Sequence, residues 1–135
     1  MKTILMMMFG AAATIVTSAT ALELPKGAKL VADTEAGAIF INRKLKLTIY
    51  NTKTGEKIGG GALHHRPDGV KMIDITVNDK KIRRNLKWSM KNGRFCGDSL
   101  ALDKRICGTG GMLYKLGGTC YNSRDGKRVA AKFKC

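Results

Sequence analysis

The stretch LKLTIY, Leu45-Lys46-Leu47-Thr48-Ile49-Tyr50, decides how this chain is read. Its apolar and polar residues alternate. Leu45, Leu47 and Ile49 point one way, and Lys46, Thr48 and Tyr50 the other. A period of two belongs to a half-buried strand, not to a helix. Downstream the pattern recurs between turn signals. Asn51 to Gly55 reads as a turn, and Lys57 to His65 as a second strand, loosened by Gly59-Gly60-Gly61. In Arg66-Pro67-Asp68-Gly69 proline presets φ for a tight turn and glycine ends it. Val70 to Val77 is a third strand, with Ile73, Ile75 and Val77 on one face. After the turn Asn78-Asp79-Lys80, Ile82 to Met90 returns with Leu86, Trp88 and Met90 inward.

Asn92-Gly93 is the strongest hairpin signal in the chain, and Arg94 to Gly97 is the strand beyond it. The loop from Asp98 to Gly111 carries no clear pattern. Met112–Leu116 and Gly118–Tyr121 look extended, and Arg124-Asp125-Gly126-Lys127 turns into Val129–Lys134. Short strands about every ten residues, joined by tight turns, indicate an antiparallel meander. The expected fold is mainly β, closed as a small barrel or sandwich that protects its edges.

Upstream of LKLTIY the period is helical. Asp33 or Thr34 can cap a short helix, with Glu35 in its first turn and Ala36, Ile39 and Phe40 on one face. Gly37 weakens that helix, and Ala38–Ile41 reads alternatively as a strand; the helix is preferred. Leu22 to Leu30 is an exposed lead-in. Before it, Met1-Lys2-Thr3 is a short positive start, Ile4 to Val16 an almost uncharged apolar run, and Ser18-Ala19-Thr20-Ala21 a small-residue cleavage pattern. Residues 1–21 are therefore expected to be a secretory signal peptide. The run is shorter than the roughly 20 residues of a spanning helix. Residues 22–135 then form a single secreted β-rich domain, periplasmic or extracellular.

Export explains the cysteines. Cys96, Cys107, Cys120 and Cys135 all lie beyond the leader, even in number and bound for an oxidising space, so two disulfides are expected. Three connectivities exist. Cys96–Cys107 with Cys120–Cys135 is favoured because each closes a short local loop, worth about 3 kcal/mol in the chain-entropy model. Ten, twelve and fourteen residues separate consecutive cysteines, which fits neither a zinc knuckle nor a redox C-x-x-C.

Charge sets the class of partner. The chain carries 25 Lys+Arg against 10 Asp+Glu, a formal +15. The leader contributes Lys2 and no acid, so the mature domain keeps all but one of those positive charges. Such an excess attracts polyanions and repels basic proteins. The partners it suggests are lipopolysaccharide, an anionic membrane surface, an anionic glycan or nucleic acid. The basic residues are spread along the chain in Arg43-Lys44-Lys46, Lys80-Lys81-Arg83-Arg84-Lys87, Lys104-Arg105 and Arg124-Lys127-Arg128, not gathered in a tail.

Several landmarks together have a familiar look. Pro67-Asp68-Gly69, Trp88, Gly93-Arg94-Phe95-Cys96, Cys120-Tyr121 and Asp125-Gly126-Lys127 resemble those of small secreted proteobacterial β-meander domains of uncharacterised function. The resemblance spans residues 30–134 and implies a short helix ahead of the meander. It brings no catalytic residues.

Candidate chemistry is sparse. His64 and His65, with Arg66, could serve a secreted nuclease or toxin through proton transfer and phosphate contact. Neighbours on a strand point to opposite faces, so the pair needs a bulge, which the nearby glycines could supply. A metal site would need a third ligand beside them, and Asp68 is the nearby carboxylate. No metal or cofactor is expected. The glycine runs lack the context of a phosphate loop. The preferred reading is non-catalytic. Lys80, Lys81, Arg83, Arg84 and Lys87 form the densest basic cluster, in which Arg83 and Lys87 alternate outward opposite Trp88. Tyr50 and Tyr121 are the aromatics best placed to stack on a ligand.

Overall fold

A computed structural model describes residues 20–91, 94–98, 105–107 and 112–135. Among them lie β1 (Lys29–Leu30), α1 (Asp33–Phe40), β2 (Lys44–Tyr50), β3 (Lys57–His65), β4 (Val70–Val77) and β5 (Lys80–Lys91). There follow β6 (Arg94–Asp98), β7 (Arg105–Cys107), β8 (Met112–Leu116), β9 (Thr119–Ser123) and β10 (Ala131–Lys134). Residues 1–19 of the expected leader, the expected turn at Asn92-Gly93 and most of the stretch read as a loop from Asp98 to Gly111 lie outside the described residues; β7 falls within that stretch.

The strands pair antiparallel in one sheet, ordered β1-β8-β9-β10-β2-β3-β4-β5-β6-β7. Two meanders, β2 to β7 and β8 to β10, are joined edge to edge by β10 pairing with β2. Residues before the helix add β1 to the outer side of β8. The sheet is open, with β1 and β7 as its ends, and among the described residues no ladder joins them.

The turns fix the register. Asn78 and Asp79 both have positive φ, 48° and 63°, the conformation of a two-residue mirror-image turn, and Val77 faces Lys80 across it. At Arg66–Gly69 the Gly69 N–H donates to the Arg66 carbonyl at 3.1 Å. Trp88 reaches back from β5 to donate its indole N–H to the same carbonyl at 2.8 Å. At the β9–β10 turn the Asp125 carboxylate accepts from the Lys127 and Arg128 N–H groups at 2.9 and 2.8 Å and from the Ser123 hydroxyl at 3.2 Å. With the Arg128 side chain also bound to it, that carboxyl stays well below the usual carboxylate range. The Pro-Asp-Gly, Trp and Asp-Gly-Lys landmarks are thus fasteners of the meander.

The glycine run makes no bulge between the histidines and the core strands. Gly59, Gly60 and Gly61 pair in step with β2 and β4; the register shift adjoins the run at Ile58 of β3, which is skipped between the pairs Ile49 with Gly59 and Tyr50 with Lys57, far from His64 and His65. The run serves close approach instead: a Cβ on Gly60 would sit 2.6 Å from the Leu47 carbonyl oxygen.

The helix covers one face of this sheet. Its N-cap is Ala32, without a side-chain cap, so Asp33 and Thr34 lie inside the first turn and do not cap it. Ala36 and Phe40 are buried with Val31, Leu45, Trp88, Leu113, Cys120 and Phe133, and Ile39, Ile41, Leu47 and Leu63 pack against them. Gly37 has a packing reason: a Cβ there would lie 3.2 Å from the Met90 Cε, so its absence lets the helix settle onto β5. Each meander is fastened by one disulfide within it. Cys96–Cys107 joins directly opposed residues of β6 and β7, and Cys120–Cys135 ties β9 to the residue after β10. Leu22 to Leu24 is held against the β9–β10 connection. The Leu22 carbonyl accepts from the Val129 N–H at 2.7 Å, and the Leu24 N–H donates to the Lys127 carbonyl at 2.8 Å.

Candidate functional site

Residues directly opposite one another on neighbouring strands share a face of the sheet. The face away from the helix can therefore be read from the register. One row runs Tyr121, Lys132, Thr48, Gly60, Thr76, Lys81. Beside it runs Lys46, Ala62, Asp74, Arg83, and beyond that Lys44, His64, Met72, Asn85. Lys134 lies two residues from Lys132, and Lys87 two from Asn85. Lys44, Lys46, Lys81, Arg83, Lys87, Lys132 and Lys134 are all exposed. Across β2 to β5, β9 and β10, Asp74 is the one carboxylate on this face among the described residues. It meets Arg83 at 3.0 Å and Lys81 at 3.9 Å. With both partners well exposed, these pairs add little stability, and they leave most of the positive charge uncompensated.

Strand alternation divides the basic run that looks continuous in the sequence. Lys81, Arg83 and Lys87 lie on the outer face. Lys80 and Arg84 pair with Val77 and the buried Ile73 and belong to the helix-bearing face. The outer lysines of β10 were not singled out from the sequence. The signal was there: Phe133 is buried, so Lys132 and Lys134 on either side of it must point outward.

Tyr50 adds an aromatic component. The Lys132 Nζ lies 5.6 Å from the centroid of its ring. The nearby Tyr50 hydroxyl raises the ammonium's pKa above the usual lysine range.

The two histidines part company. His65 is 2% exposed and belongs to the core. Its ring stands edge-on to Phe40 and to Trp88, with centroids 5.3 and 5.7 Å away. Burial, and then the charges of Lys71 and His64, push its pKa down to about 3. His64 is on the outer face, opposite Lys44 and Met72. Arg66 is in an ion pair with Asp68. The His64, His65 and Arg66 side chains do not converge, because no bulge falls between the histidines. His65, buried and neutral, has no access to a solvent-borne phosphodiester. Among the described residues no group of His, Cys, Asp and Glu comes together as a metal site.

Lys71 is a further inward cation. Its Nζ donates to the Asp98 carbonyl at 2.9 Å, and burial lowers its pKa while Asp98 works the other way. It fastens β4 to β6 and does not belong to the exposed face.

Fold and charge first define a class: a small, disulfide-tied β-sheet domain, backed by one helix and cationic on its open face. Comparison of the chain with protein-family models, curated proteins and solved structures finds no match. The functional reading therefore rests on the chemistry of this face.

Proposed function

We propose that the protein is a non-catalytic exported domain that binds an anionic polymer or membrane surface of the cell envelope or exterior through the outer face of its sheet. The observation that carries this reading is the gathering of Lys44, Lys46, Lys81, Arg83, Lys87, Lys132 and Lys134 on one face, where the described strands β2 to β5, β9 and β10 set only Asp74 against them and Asp98 of β6 lies beside Lys87 at the edge. A one-sided array attracts a polyanion and orients it, which an even spread of the same charge does not do. The two disulfides fit an oxidising compartment outside the cytoplasm, as does the leader-like start of the chain. In this reading the sheet bends round the helix as a half-closed barrel, leaving the cationic face outermost.

The test is retention on immobilised heparin and on lipopolysaccharide over a series of salt concentrations. Each engaged anionic group adds to the slope of affinity against salt. Retention well above physiological salt, shortened by Arg83→Ala with Lys87→Ala, is expected. Elution at or below physiological salt, unchanged by that pair, contradicts the proposal.

A further inference from the structure

All three tyrosines of the chain come together on the outer face. Tyr114 of β8 is directly opposite Tyr121 of β9, and Tyr121 is directly opposite Lys132 of β10. Lys132 in turn lies over the Tyr50 ring. The same row then crosses β2, β3 and β4 through Thr48, Gly60 and Thr76 and ends at Lys81 on β5. Neighbouring strands are about 4.8 Å apart, so the row from Tyr114 to Lys81 spans roughly 29 Å. Aromatic rings stand at one end and a cation at the other. Between Lys132 and Lys81 no side chain is larger than threonine, which makes a shallow track across the strands. Lys46 and Arg83 flank it in the next row.

We propose that this track binds single-stranded nucleic acid, laid across the strands. Its bases stack on Tyr50, Tyr114 and Tyr121, and its phosphates meet Lys132, Lys46, Lys81 and Arg83. The inference rests on the polyanion reading above and narrows it to one ligand class. The grouped aromatic rings favour nucleic acid over an acidic glycan. Either backbone presents anionic acceptors to Lys46, Lys81, Lys132 and Arg83, of which Arg83 and Lys81 also engage Asp74 in the flanking row. Every base has a π-face, so three grouped tyrosines give sequence-tolerant stacking. Single-strand-binding OB folds cover about 4–16 nucleotides, and a track of roughly 29 Å suits the lower end of that range.

The experiment titrates the oxidised protein into a labelled oligothymidine and, separately, into labelled heparin. It compares wild type with Tyr121→Ala, Tyr121→Phe and the pair Arg83→Ala with Lys87→Ala. The emission of the buried Trp88 reports that each variant is folded. Tyr121→Ala is expected to weaken oligothymidine binding by about tenfold or more and to leave heparin binding unchanged. Tyr121→Phe, which keeps the ring, is expected to restore binding. If Tyr121→Ala leaves the oligothymidine affinity unchanged while the cation pair weakens it, the stacking track is wrong and the polyanion reading stands. If heparin binds and oligothymidine does not, nucleic acid is excluded and an acidic glycan takes its place. If neither binds, both proposals fall.

Discussion

His65 shows at the scale of one residue how position overrides residue type. An imidazole beside an arginine and a proline turn suggests proton transfer, yet the strand turns His65 inward between Phe40 and Trp88. Its consequence is for stability. In the unfolded chain the imidazole takes a proton near pH 6.5, whereas in the fold it stays neutral down to about 3. Between those values the unfolded state binds more protons, so stability is full above pH 6.5 and falls as the pH drops through the window. The slope from this one group is at most about 1.4 kcal/mol per pH unit. Asp125, whose carboxyl is held low, adds its own loss only below the ordinary carboxylate pKa, so the range from pH 6.5 to 4.5 isolates the histidine. Urea unfolding in that range should give a falling midpoint for the wild type and a nearly flat one for His65→Leu. An equal slope in the variant contradicts the assignment.

At the scale of elements, the β4–β5 hairpin offers a clean prediction. Asn78 and Asp79 both occupy the left-handed region, which asparagine tolerates and glycine occupies without steric cost. Asp79→Gly should therefore stabilise the protein by about 0.5–1 kcal/mol in urea unfolding; a loss of stability would contradict the turn geometry. Elements such as this one were readable in the sequence. The bounds of β3, β4 and β8 follow from alternation and turn residues, because strand period and turn chemistry are local. The helix was readable from Ala36, Ile39 and Phe40 sharing a face. Its cap was not, since Ala32 does the work without a side-chain bond. The glycine run misled for a related reason. What it accommodates, the Leu47 carbonyl and the backbone of β4, lies on other strands. The pairing of β10 with β2 was also out of reach, because it depends on how two separate meanders meet. Without that pairing, Lys132 cannot be set beside Thr48, nor Tyr121 on the face that carries Tyr50. The candidate site was therefore half legible: Arg83, Lys87 and Tyr50 by alternation, and their union with Tyr114, Tyr121, Lys132 and Lys134 only from the strand order.

At the scale of the whole molecule, the proposed binding depends on sidedness. Covering one face of the sheet with a helix and an apolar core leaves the other free to carry charge. The disulfides hold β6 to β7 and β9 to the chain's end, so that face is presented on a fixed scaffold. A strongly basic protein binds anions to some degree whatever its shape, so total charge alone cannot establish a site. The most direct measurement compares two variants of equal net charge for salt-dependent heparin affinity. One removes Lys46, Arg83 and Lys132 from the outer face. The other removes Lys80, Arg84 and Lys115, which are also exposed but belong by register to the helix-bearing face. All six are changed to serine. The account predicts that the outer-face variant loses about tenfold or more in affinity, with a shallower salt slope, while the other stays close to wild type. An equal loss in both would show that bulk charge, and not a face of the sheet, does the binding.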